Sequence, residues 1–328
     1  MSFVALGVAL LLAVHIVVST VLSLLVALAL PWVEGHPDAA PARRASAFLA
    51  LGLLPALSGL AVALGLALPA WLVHEPGGTS ETAGPVLLAL AAAGTALVLG
   101  RAGAALLDQW RTTCLVRRWS AAGRPLRGLP LPATRFAHEF PVAAVFGLVR
   151  GRLFLADRLL IALSPEELEG VVAHEAAHRA ARDNLKRLLL RASPDILALT
   201  GLGARLRQAF EDAAEAAADG RACARVSPLV LARTLLKVAS LVPPGQRLDA
   251  AVAALHRDGA LSARVLALVA AQERADAGGV ALTRTGRRAP PGLAAALVSA
   301  ALAALAVASD SSLRTTHALL ESLVHLMS

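Results

Sequence analysis

Four long stretches of this chain are apolar and nearly free of formal charge, and they constrain its fold more than any other feature. They run from about Phe3 to Leu30, Ala45 to Val73, Val86 to Leu107 and Gly292 to Ala308. A bilayer core needs about 20 apolar residues to span it, and inside lipid every backbone polar group must be satisfied within the segment, which selects helices. The apolar mass is Ala, Leu and Val, with only 3% aromatic residues, which again favours helices over sheets. The first stretch lacks a basic flank and is too long for the core of a signal peptide. Pro55 and Pro69 lie inside the second and should kink it.

Charge sets the expected orientation. The chain's net charge is +8, but 27 Lys and Arg against 17 Asp and Glu lie between Asp108 and Arg288, an excess of 27 − 17 = +10 in one block. The loop before the second stretch holds Arg43 and Arg44, whereas the loop after it holds Glu75 and Glu81 and no Lys or Arg. The positive-inside rule then places the basic block in the cytoplasm and both termini outside. The same rule accounts for the excess charge without direct binding of nucleic acid. Within the spans, Arg101 can snorkel to the cytoplasmic surface, and His15 is expected to hydrogen-bond a neighbouring helix. Cys114 and Cys223 are too few for a disulfide framework.

The pattern therefore predicts a mainly α protein: a four-span helical bundle with a cytoplasmic α+β domain of a small hairpin or sheet plus helices. The expected division is 1–110 for three spans, 111–288 for the soluble domain, and 289–328 for the fourth span and a short external tail. Val142 to Leu148 and Leu153 to Leu155 flank Arg150-Gly151 and read as a hairpin. Ser164-Pro165-Glu166-Glu167 is a strong helix start, with Ser as cap, Pro in the first turn and Glu167 closing a capping box.

That helix carries His174-Glu175-Ala176-Ala177-His178. Histidines four apart project from one helix face and can bind one zinc ion, and Glu175 at the edge of that face can take a proton from an attacking water. Val171, Val172, Ala173, Ala176 and Ala177 surround them, so the three polar residues sit in a buried helix, where polar groups need partners. A catalytic zinc site of this type needs a third protein ligand. The helix expected over about Ala204 to Ala224 offers Glu211, Glu215 and Asp219 on one face, among alanines that allow close packing. Glu215 is the favoured ligand, Glu211 its rival. Asp219, one turn later, can fix the tautomer of a ligand imidazole, and Asp183 is a further candidate for that role. With no tyrosine in the chain, an oxyanion must be stabilised by another donor, and Arg221, Arg225 and His138 stand open.

Phe140-Pro141, Phe146-Gly147-Leu148-Val149-Arg150-Gly151-Arg152, Leu163-Ser164-Pro165-Glu166-Glu167-Leu168, the His174–His178 motif, Arg182-Asp183-Asn184 and Glu215-Ala-Ala-Ala-Asp219 together resemble the antirepressor metallopeptidase family of BlaR and MecR type. The related HtpX and CAAX prenyl protease family shares the His174–His178 and Glu215–Asp219 motifs. The resemblance implies an integral-membrane zinc metalloendopeptidase of the bacterial inner membrane, with one Zn²⁺ per chain held by His174, His178 and Glu215, and Glu175 as catalytic base. It implies regulatory proteolysis of a protein substrate, with a transcriptional repressor as one such partner. The alternative is HtpX-like quality control of membrane proteins, and beyond it a zinc-stabilised signalling scaffold without activity. The sensor-transducers carry an extracellular penicillin-binding domain after the fourth span. Only Ser309 to Ser328 follow it here, so direct beta-lactam sensing is not expected.

Overall fold

The computed structural model describes residues 2–35, 39–74, 83–242, 258–277 and 310–327. The first three apolar stretches form helices long and apolar enough to cross a membrane, Phe3–Glu34, Pro41–His74 and Pro85–Ala122, compatible with a membrane protein. The fourth predicted span falls outside the described residues. The first helix is α1. The second divides into α2 (Pro41–Val62), one wide π turn at Ala63–Ala67 and α3 (Leu68–His74). The π turn lies just ahead of Pro69, whose missing N–H breaks the ordinary ladder. Large apolar side chains such as Val4, Val21, Leu24 and Leu28 point outward along α1, as lipid contact requires.

The third helix, α4, continues 15 residues past Leu107, the expected end of the span, to Ala122. Its last turns carry Trp119 beneath a four-stranded mixed sheet. The strands are β1 (Arg124–Leu126), β2 (Ala133–Phe136), β3 (Ala143–Phe146) and β4 (Arg152–Ala156), in the order β1-β2-β4-β3. The expected hairpin is the antiparallel β3–β4 pair, with Val145 opposite Leu153. It is not the only pair: β4 also runs parallel to β2, and β2 pairs antiparallel with β1. Alternation along β4 divides the two faces. Phe154 and Ala156 pack on Trp119 and Phe136, while Leu153 and Leu155 pack on Val172.

Helices follow: α5 (Asp157–Ala162), α6 (Pro165–Ala181), α7 (Asp183–Ala192), a 3₁₀ turn at Ile196–Leu199, α8 (Gly201–Ala222), α9 (Pro228–Ser240), α10 (Asp258–Asp276) and α11 (Asp310–Met327). The capping box of α6 is formed: the Glu167 N–H donates to Ser164 Oγ (3.3 Å) and the Ser164 N–H to Glu167 Oε2 (2.8 Å). Helix α6 ends at Arg182, whose left-handed backbone (φ 55°) turns the chain directly into α7. A non-glycine there costs roughly 1–2 kcal/mol, which the contacts of Asp183 and Asn184 described below offset.

The turn between α7 and α8 is wedged among the apolar helices. The His15 ring meets the Pro194 carbonyl (Nε2 to O, 2.8 Å), and Arg101 donates to the carbonyls of Ser193 (3.2 Å) and Leu190 (3.3 Å). Carbonyls at a helix C-terminus have no partner inside the helix. His15 and Arg101 therefore serve as caps for this turn, and Arg101 is held by protein rather than reaching for water. One apolar core joins Val26 and Leu30 of α1, Phe48 and Leu51 of α2, and Leu190, Leu197, Leu206 and Phe210 of the α7–α8 region. Gly52 permits the approach: a Cβ there would overlap Leu190 and Leu206.

Candidate metal centre

Helices α6 and α8 place their polar residues face to face. His174 Nε2 lies 3.1 Å from His178 Nε2 and 3.3 Å from Glu215 Oε2, and His178 Nε2 lies 3.3 Å from Glu215 Oε1. Three ligand atoms around one tetrahedral zinc stand about 3.3 Å apart, given bond lengths near 2.0–2.1 Å. Among the described residues His174, His178 and Glu215 form the group able to hold a metal ion. Two imidazole nitrogens and a carboxylate suit zinc or a similar divalent ion.

Each histidine has a carboxylate behind it. His178 Nδ1 meets Asp183 Oδ2 at 2.8 Å, and His174 Nδ1 lies 2.9 Å from Asp219 Oδ1, a short contact not aligned as a hydrogen bond. Such partners orient ligand rings and raise their basicity. The left-handed Arg182 is what brings Asp183 back under His178. Charge gives a second test of fit. Among the described residues, Glu175, Asp183, Glu211, Glu215 and Asp219 cluster with three paired cations, Lys186, Arg187 and Arg264, an excess of two negative charges. A dication between neutral imidazoles balances them.

With no such ion the imidazoles take up protons instead. Burial alone would lower the His174 pKa, but its contacts with Asp219 and Glu215 outweigh burial and push it up to about 10. Burial opposes His178 as well, and Asp183 and Glu215 raise it nonetheless. In the metal-free protein a raised His174 pKa contributes stability fully below its unfolded value of about 6.5 and loses that contribution as pH climbs towards 10. Metal must displace the proton. Apparent affinity for Zn²⁺ should therefore rise between pH 6.5 and 8.5 by about tenfold per pH unit for each proton released. Chelator-competition titrations across that range check it, and a flat profile would contradict it.

Glu175 is buried beside the cluster, and its Oε2 accepts the Val145 N–H at 2.9 Å. Asn184 Nδ2 donates to the Val145 carbonyl at 2.7 Å. Val145 turns both backbone groups away from β4, so Glu175 and Asn184 together cap the outer edge of β3. Arg187 grips Glu211 through Nε and Nη2 (2.8–3.0 Å), so the rival carboxylate is committed to an ion pair. Of the open oxyanion candidates, His138 packs against Trp119 on the far face of the sheet, and Arg221 donates to the Ala177 carbonyl at 2.8 Å.

The residue that sequence reasoning missed is Arg264. It arrives from α10 and forks onto Asp219 with two 2.7 Å hydrogen bonds. The only signal for it is a lone arginine between Leu261 and Leu266 on an otherwise apolar, weakly charged stretch. A family model described as peptidase family M48 matches residues 120–321, more than half of the chain. No curated protein and no solved structure matched it.

Proposed function

Because the chain belongs to peptidase family M48, we propose that it is an integral-membrane zinc metalloendopeptidase that hydrolyses cytoplasmic or membrane-proximal proteins. One observation carries the reading: His174, His178 and Glu215 converge within 3.3 Å, with the Glu175 carboxylate buried alongside. Zinc, when bound there, would act as a Lewis acid towards a water and the scissile carbonyl. Glu175 takes the proton of the attacking water and returns it to the leaving amine. Asp183 holds the His178 imidazole in its tautomer, and Asp219, 2.9 Å from His174 Nδ1, stands where it can orient the other ring. A substrate strand added along β3 would have to take the Val145 N–H from Glu175, so the exposed partner for substrate is β3 rather than the doubly paired β4.

We read the biological role as regulatory proteolysis, with a repressor as a candidate substrate, on the strength of the sequence resemblance. Quality control of membrane proteins is the second reading. It draws support from the seating of α8 on α1 and α2 and from the Glu34–Arg205 ion pair at the end of α1, which keep the site close to the spans. Comparing cleaved peptides from cells carrying wild type and Glu175→Gln separates the two: one dominant target for regulation, many for quality control. From the charge of the loops we read the site as lying on the cytoplasmic side of the inner membrane. A topology reporter fused after Thr79 should read extracytoplasmic, and a cytoplasmic reading would reverse the compartment of the substrate.

A further inference from the structure

Glu215 and Asp219 stand one turn apart on α8, both turned towards His174. Two carboxylates this close in a poorly hydrated place repel each other, and beyond the titratable imidazoles of α6 the fixed cations that approach them among the described residues are Arg187, 3.6 Å from Glu215 Oε1, and Arg264. Arg264 lies behind the pair, with Nε 2.7 Å from Asp219 Oδ2, Nη2 2.7 Å from Asp219 Oδ1 and Nη1 3.0 Å from Glu215 Oε2. Asp219 Oδ1 and Glu215 Oε2 are the same oxygens that approach His174. The guanidinium therefore contacts both of the oxygens that the imidazole approaches. Its own position does not depend on the ion pairs, because Val265 and Leu268 of α10 pack on Ala222, Val226, Leu231 and Ala232.

We propose that Arg264 is a positioning residue of the metal centre: it holds Glu215 and Asp219 in the spacing that a metal bound by His174, His178 and Glu215 requires. The assignment rests on that ligand set. It also explains why a residue 45 positions beyond Asp219 belongs to the site. A planar fork reaching two carboxylates is a task lysine cannot reproduce.

The test is Zn²⁺ affinity of the full-length protein in detergent micelles, by competition with a chromophoric chelator. Arg264→Ala should bind Zn²⁺ about 10–100-fold more weakly, Arg264→Lys should recover only part of the loss, and added guanidinium should restore Arg264→Ala towards wild type. Leu268→Ala, which loosens the same helix without touching the carboxylates, should stay within about threefold of wild type. Arg264→Ala binding as tightly as wild type overturns the proposal. So does a Leu268→Ala loss as large as that of Arg264→Ala, or an Arg264→Ala loss that guanidinium leaves unchanged. Failure of the underlying ligand set reads differently: His178→Ala would then bind Zn²⁺ as tightly as wild type, and the assignment of Arg264 would fall with it.

Discussion

Glu175→Gln is expected to lower peptide hydrolysis by about 10²–10⁴-fold, the usual contribution of a positioned general base, with the metal still bound. Glutamine matches the shape of the glutamate and keeps an oxygen that can accept the Val145 N–H, which Glu175 Oε2 does at 2.9 Å. It has no basicity with which to take a proton from water. The proposed ligands His174, His178 and Glu215 are untouched, so metal content should remain that of wild type. Turnover of unfolded casein in detergent micelles, read beside metal content by atomic absorption, checks both halves. A variant that still cleaves within about threefold of wild type would remove Glu175 from the base role.

Glu215→Gln and Glu211→Gln should behave oppositely although the two residues lie one turn apart on α8. Loss of the Glu215 carboxylate removes the anionic member of the proposed ligand set. Zn²⁺ affinity should fall by more than about 100-fold, beyond the loss that follows removal of a ligand's outer hydrogen-bond partner, and activity should vanish with it. Glu211 instead faces Arg187 across a pair in which both side chains are 30% exposed. Breaking a part-exposed pair costs on the order of 1 kcal/mol or less, so Glu211→Gln should keep its metal. Metal affinity measured on both variants decides between them. Loss of metal in Glu211→Gln with retention in Glu215→Gln would exchange the two carboxylates.

Local patterns made much of this legible in the chain. The capping box, the four-residue histidine spacing and the carboxylates of α8 are all written within single helices, and the structure sets α6 and α8 face to face as the alanines around Glu215 permit. What the sequence could not disclose lies in contacts between distant segments. The three-residue β1 is too short to show alternation, and β2 carries Arg135 in a strand of four, so the sheet looked like a lone hairpin. The wedge at Ser193–Leu199, Ser-Pro-Asp followed by Ile-Leu-Ala-Leu, resembles an ordinary loop. Its depth depends on His15 and Arg101, which lie far earlier in the chain. Arg264 follows the same logic, since a guanidinium announces a carboxylate partner but not which one.

Helix α8 begins in a core made with α1 and α2 and ends in the carboxylates that face His174. A single rod of 22 residues is thus anchored at one end among the apolar helices while its other end sets the distance between α6 and its ligands. Cutting the chain near residue 110 would strip Leu206 and Phe210 of the surface that buries them, and the rod would lose its footing before any ligand was altered. The geometry of the His174, His178 and Glu215 cluster and the burial of α8 among apolar helices are therefore inseparable properties: a fragment excised from α1 and α2 would carry a different cluster.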